Sequence, residues 1–191
     1  MAHPYPVLIT DSFILYTRAI GEADRIITVL TEQGGVLDIY ARSIRKEEAK
    51  MRESTLPYGR VRLSAVLGKQ AILKDITVTD SLENIWASRE KYTALVCLLR
   101  RIHALIPPLG SGDKRIFSIV ETATHTLQTS AANHADTILL IAEVLILDTL
   151  GYVQTDYTEQ KMFSDLLEEA TASNEKKHLL RSQLQTALHH Q

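Results

Sequence analysis

Apolar and polar positions alternate along the first 80 residues and then change period. Residues 12–20, 25–31, 36–41, 58–67 and 71–79 are short runs rich in β-branched and aromatic side chains, the pattern of β-strands. The fourth run is the clearest. Tyr58, Arg60, Arg62 and Ser64 interleave with Gly59, Val61, Leu63 and Ala65, so one face is basic and the other apolar, as in a half-buried strand. Gly34 and Gly35 predict a tight hairpin turn, because glycine takes positive φ at low cost, and Gly68-Lys69 predict the next turn. The polar stretch 42–55 makes the third connection long. Five strands joined this way suit a small closed barrel of the OB type, and a five-stranded SH3-like barrel would produce the same pattern.

Beyond Asp80 the period becomes that of a helix. Tyr92, Leu95, Val96, Leu99, Ile102 and Ile106 mark one face of a helix over 88–106, ended by Pro107-Pro108, with Ser81 as an N-cap just after the boundary. Further helices are predicted over 113–129, 135–150, 158–170 and 174–190, with Gly151 at a C-cap. Five helices with short connections form a compact bundle. The expected fold is therefore α+β: an OB-type nucleic-acid-binding barrel over residues 1–80, then an all-helical domain over residues 81–191.

Composition changes this picture little. With 45% hydrophobic and 23% charged residues, the chain has the make-up of an ordinary globular protein. Cys97 is the single cysteine, so no internal disulfide is available. Its neighbours Leu95, Val96, Leu98 and Leu99 predict a buried core thiol. The start of the chain lacks the basic and apolar regions of a secretory signal. The longest apolar run, 138–147, is broken by Glu143 and falls well short of the roughly 20 residues of a membrane span. A cytoplasmic location without membrane contact is expected.

Motifs for nucleophilic, phosphate-cradling or metal chemistry are absent from the sequence, and no enzyme, cofactor or metal site is expected. His103 and His125 fall in separate predicted helices, His134 caps another, and His189-His190 sit at the end of the chain. Glu22 and Asp24 read as a solvated turn with a local ion pair to Arg25.

Charge does change the picture, through its distribution. Net charge is −2, yet between residues 42 and 62 seven basic residues (Arg42, Arg45, Lys46, Lys50, Arg52, Arg60, Arg62) face three acidic ones (Glu47, Glu48, Glu53). The first five basic residues fill the long connection, and Arg60 and Arg62 share a face of the strand that follows. Several cations within reach of one phosphate backbone supply most non-specific nucleic-acid affinity, and Tyr16, Tyr40 and Tyr58 offer stacking surfaces. The bland alternative is a solvated basic loop. Ion pairing with the three glutamates would not suppress binding, since exposed pairs are worth about 0–1 kcal/mol.

The segment from Tyr16 to Gly35, with its Gly21-Glu22-Ala23-Asp24-Arg25 turn, second strand ending in Thr31 and glycine hairpin, resembles the start of the RecO family of bacterial recombination mediators. Ala41-Arg42-Ser43-Ile44-Arg45 is similar to that family's Ala-x-Gly-x-Arg step, with Ser43 in place of the usual glycine. Leu56-Pro57-Tyr58 is similar to its Leu-x-Pro-Phe entry to the fourth strand. Leu147-Asp148-Thr149-Leu150-Gly151-Tyr152 resembles a Leu-Leu-Gly-Tyr helix end in its helical domain.

The resemblance implies an OB-fold that binds single- and double-stranded DNA, anneals complementary strands and helps load recombinase onto DNA coated with single-strand-binding protein. It implies a nucleoid-associated location, with a RecR-type mediator and the acidic tail of single-strand-binding protein as partners. Carried onto this chain, the DNA contacts fall on Arg42, Arg45, Lys46, Lys50 and Arg52, with Arg25 contributing and Arg60 and Arg62 extending the track. Where many members place a four-cysteine zinc module, residues 156–160 hold no cysteine, so a shortened, zinc-free form is expected. The competing functional expectation is a protein-interaction adaptor, with the barrel as scaffold and the helical domain gripping a partner peptide.

Overall fold

A computed structural model describes residues 5–33, 35–46, 49–108, 112–153 and 162–189. Gly34, Glu47, Glu48, the cysteine-free segment 156–160 and His190 lie outside the described residues. Five strands, β1 (Val7–Ile20), β2 (Asp24–Thr31), β3 (Val36–Ala41), β4 (Arg60–Leu67) and β5 (Ala71–Asp80), precede six α-helices. The strands close a barrel in the order β1-β2-β3-β5-β4, with β3 parallel to β5 and the other neighbours antiparallel. That order is the Greek-key barrel of the OB fold and decides against the SH3-like alternative.

One strand serves two neighbours. β1 pairs with β4 through Val7–Phe13 and with β2 through Ser12–Ile20. A register shift between Ile14 and Tyr16 inserts one residue into β1, and such a bulge bends a strand and increases its twist. The bend lets 14 residues wrap around the barrel. Ile14, Ile27, Val29, Ile39, Val61 and Leu63 fill the interior, each at most 2% exposed. They come from alternate positions, as the period of two requires.

The strand limits differ from the sequence pattern at two places. β1 starts at Val7, five residues before the predicted Ser12, because Val7–Ser12 finds partners on β4. β4 starts at Arg60 because Tyr58 adopts φ +69°, which no strand residue holds. The Tyr58 N–H instead donates to the Ile14 carbonyl at 2.8 Å.

The helices are α1 (Glu83–Trp86), α2 (Arg89–Leu105), α3 (Lys114–Thr129), α4 (Ala135–Thr149), α5 (Met162–Ala172) and α6 (Asn174–His189). Ser88 caps α2, its Oγ accepting the Lys91 N–H at 3.4 Å. Ala94, Leu95, Leu98, Leu99 and Ile102 form the buried face of α2. Cys97 is exposed, which corrects the expected core thiol. At about 100° per residue, position 97 lies roughly opposite Leu95 and Leu99, and apolar neighbours in sequence are not neighbours on the helix surface.

α4 ends as Gly151 predicts. Gly151 takes φ +81°, its N–H donates to the Asp148 carbonyl and the Tyr152 N–H to that of Leu147, both at 2.9 Å. These two bonds define a Schellman C-cap. Upstream, α4 is buried along nearly its whole circumference, as befits a central helix, and it packs against α5 and α6.

The chain forms two compact units, Met1–Leu82 with Leu99–Phe117, and Glu83–Leu98 with Ser118–Gln191. In the first, the Phe13 and Phe117 ring centroids lie 5.4 Å apart, and Tyr16 stacks on His103 at 5.1 Å. In the second, Trp86 and Tyr92, both partly exposed, pair at 5.3 Å. Among the described residues, no helix is long and apolar enough to cross a membrane.

Candidate nucleic-acid interface

The β1–β2 turn organises the basic connection. Gly21 opens this turn at φ +54°, a conformation that costs glycine little. Asp24, the first residue of β2, then reaches across to the chain leaving β3. Its Oδ1 accepts the Ser43 N–H at 2.7 Å, and its Oδ2 accepts the Tyr40 hydroxyl. The Arg45 N–H donates to the Ala23 carbonyl at 2.9 Å, and Arg45 Nη1 donates to the Gly21 carbonyl at 2.9 Å.

Arg25 does the same for the far end of the connection. Its Nη1 donates to Thr55 Oγ1 at 2.7 Å and to the Thr55 carbonyl at 3.2 Å, holding the short 3-10 turn Glu53–Thr55. Thr55 is fully buried, so this anchor is part of the barrel wall. Asp24 is therefore not the ion-pair partner of Arg25 that the sequence suggests. The two side chains secure opposite ends of one segment.

Electrostatics reports the same clustering. The Ser43 N–H holds the Asp24 carboxyl below its ordinary value, the Tyr40 hydroxyl adds to this, and Arg42 and Lys46 contribute through space. Burial lowers the Arg25 guanidinium, and the positive charges of Arg45 and Arg52 lower it further. Like charges shift one another only when close. Arg42 and Lys46 thus lie near Asp24, and Arg45 and Arg52 near Arg25. Arg42, Lys46, Lys50 and Arg52 have exposed side chains, whereas Arg25 and Arg45 are half-buried and committed to backbone or Thr55 oxygens.

Arg60 and Arg62 lie elsewhere. Arg62 pairs across β4 with Asp11, nine steps along β1 from Ile20 at the turn, or about 30 Å of strand. Asp11 holds it in an ion pair at 2.8 Å. Arg60 stands opposite Phe13, its guanidinium 5.9 Å from the ring centroid, within cation–π range. Of the tyrosines, Tyr40 belongs to the Asp24 network, Tyr58 to the entry of β4, and Tyr16 to the stack with His103.

Ser43 has φ +53°, a left-handed conformation uncommon outside glycine. It occupies the position where the Ala-x-Gly-x-Arg step has glycine, and the Asp24 bond to its N–H holds it there. The sequence pattern assigns Asp24 no part in the basic site and gives Tyr40 only a stacking surface, not a bond to Asp24. The only signal for their role is an acidic residue at a strand start, which is also what a solvated turn looks like.

Residues 7–85 match the family described as Recombination protein O N terminal. A DNA repair protein RecO from Heliobacterium modesticaldum is 26% identical over 145 residues, covering 74% of this chain and 50% of its own. One from Thermodesulfovibrio yellowstonii is 26% identical over 144 residues, covering 75% and 57%. One from Streptomyces coelicolor is 28% identical over 154 residues, covering 76% and 61%. The chain thus spans about half the length of the curated relatives it matches.

Proposed function

We propose that this chain, whose residues 7–85 match the Recombination protein O N-terminal family, is a DNA-binding recombination mediator in DNA repair, acting without catalytic chemistry of its own. The observation that carries this reading is the basic β3–β4 connection, tied down at both ends to an OB barrel beside its β1–β2 turn. OB folds bind nucleic acid partly through their loops, and several exposed cations on one connection supply contacts for a phosphate backbone.

In this reading residues 1–80 engage single- and double-stranded DNA, with Arg42, Lys46, Lys50 and Arg52 meeting phosphates. Arg25 and Arg45 shape the site, and Arg60 and Arg62, on the β1–β4 seam away from the turn, extend the track beyond it. Residues 81–191 supply the helices, of which 99–117 belong to the same compact unit as the barrel. The protein anneals strands and assists recombinase loading on DNA coated with single-strand-binding protein, in the cytoplasm at the nucleoid. Its protein partners are a RecR-type mediator and the acidic tail of single-strand-binding protein.

A salt titration of binding to labelled single-stranded oligonucleotides tests the reading, because polyanion binding weakens steeply with salt. Absence of binding at low salt would overturn it. The net charge of −2 and the partly exposed Trp86–Tyr92 pair favour a second role, that of an adaptor gripping a partner peptide, since exposed aromatic residues are frequent anchors of protein interfaces. A partner pull-down that survives nuclease, from a protein that shifts no DNA, would select that role.

A further inference from the structure

We infer that Asp24 is the positioning residue of the basic surface: by accepting the Ser43 N–H and the Tyr40 hydroxyl, it fixes the arc of chain that presents Arg42 and Lys46 to a phosphate backbone. The inference rests on the DNA-binding reading above and deepens it.

An exposed connection rich in long cationic side chains would otherwise sample many conformations, and ordering it on DNA would weaken binding. Here the ordering is done beforehand. The first turn after β3 is held by four bonds from Gly21, Ala23 and Asp24: Ser43 N–H to Asp24 Oδ1 at 2.7 Å, Arg45 N–H to the Ala23 carbonyl at 2.9 Å, Arg45 Nη1 to the Gly21 carbonyl at 2.9 Å, and the Tyr40 hydroxyl to Asp24 Oδ2. Ser43 remains left-handed at φ +53° within this frame. Arg42 and Lys46, which flank the held segment, have exposed side chains.

Asp24 is electrostatically the wrong residue for a DNA surface. Its negative charge lies close enough to Arg42 and Lys46 for both to lower its pKa, and it repels a polyanion. Geometry and charge therefore predict opposite signs for its removal. If Asp24 were only a local charge, deleting it would tighten DNA binding. If it positions the arc, deleting it weakens binding although the surface gains positive charge. Glu22, two residues away and exposed in the same turn, makes no hydrogen bond or ion pair among the described residues and serves as the charge-only control.

The test compares the full chain with Glu22→Ala, Asp24→Ala and Asp24→Asn by fluorescence anisotropy on a labelled single-stranded oligodeoxynucleotide across a salt series. Ser43 amide hydrogen exchange is measured in parallel without DNA. Glu22→Ala is expected to bind equally or up to about threefold tighter, and Asp24→Ala roughly tenfold weaker, with the log–log salt slope shallower by about 0.7 for each phosphate no longer engaged. Asp24→Asn, which still accepts the Ser43 N–H, falls between them. Ser43 exchange accelerates in Asp24→Ala.

Tighter binding by Asp24→Ala, or an unchanged slope, overturns the inference. Should Asp24→Ala fail to fold, Tyr40→Phe removes one bond to the carboxylate at constant charge. It is expected to bind about two- to threefold weaker, and unchanged binding overturns the inference. If the unaltered protein binds no DNA at low salt, the DNA-binding reading fails instead, and the Ser43 amide alone judges the positioning: unchanged exchange in the Asp24 variants overturns it too.

Discussion

Arg62 and Asp11, opposite each other on β4 and β1, form a two-point ion pair, with Nε donating to Oδ1 at 2.8 Å and Nη2 to Oδ2 at 3.0 Å. The Arg62 side chain is 64% exposed, so the pair meets bulk solvent, yet it directs both donors away from any ligand. Arg42 and Lys46 carry no such internal partner among the described residues. Arg62→Ala is therefore expected to weaken single-stranded DNA binding by no more than about threefold, and Arg42→Ala combined with Lys46→Ala by at least about tenfold. Anisotropy titrations at one salt concentration check the contrast, and equal weakening in both variants would refute it.

The number of phosphates engaged can be counted. If Arg42, Lys46, Lys50 and Arg52 each meet one phosphate, log K against log salt should fall with a slope of about −3 on a single strand. A slope near zero would show that these four side chains make no ionic contact with the strand.

Acid should loosen the basic arc before it melts the barrel. Hydrogen bonds from Ser43 and Tyr40, with Arg42 and Lys46 nearby, hold the Asp24 pKa below its ordinary value. A depressed folded-state pKa contributes stability that is complete above the unfolded value, about 3.9, and lost as pH falls through the folded one. Ser43 amide protection is expected to be constant at neutral pH and to decline below about pH 4, with the decline absent in Asp24→Asn. The bond to Asp24 raises the Tyr40 pKa, with burial adding to the shift. The Tyr40 contribution is thus present below about pH 10 and lost as pH rises through the raised folded value. Ultraviolet titration should show a tyrosine phase above the ordinary tyrosine range, and Asp24→Ala should shrink that delay to the part due to burial.

Two backbone positions give opposite expectations for exchanging glycine with a larger residue. Ser43 is left-handed without being glycine, so Ser43→Gly is expected to stabilise the fold by about 0.5–1 kcal/mol, the steric relief exceeding the added freedom of the unfolded chain. Gly151 holds φ +81° in the cap of α4, so Gly151→Ala is expected to destabilise by about 1 kcal/mol. Urea unfolding of both variants checks the pair of signs.

Most of the barrel could be read from the chain because alternation exposes which residues face inward: Val61, Leu63 and Ala65 are buried as their period demands. The glycine at 151 marked a helix end for an equally local reason. The site was harder to read. The connection's cations are visible as a run, but hydrogen bonds across 19 and 30 residues decide which of them are committed to the fold. No local pattern announces that Arg25 belongs to Thr55, or that Arg62 belongs to Asp11. Cys97 shows the same limit within one helix, where apolar company along the sequence concealed an outward-facing position.

β3 and β5 join over two residue pairs, Ile39 with Ala71 and Tyr40 with Ile72, the narrowest junction in the ring of strands. Thermal breathing of a closed sheet begins where the fewest bonds must part, and one of these two pairs contains the tyrosine that also binds Asp24. A ligand bridging the neighbouring arginines and lysine would brace that junction from outside, so DNA should slow the opening of the barrel itself and not merely quieten a surface loop.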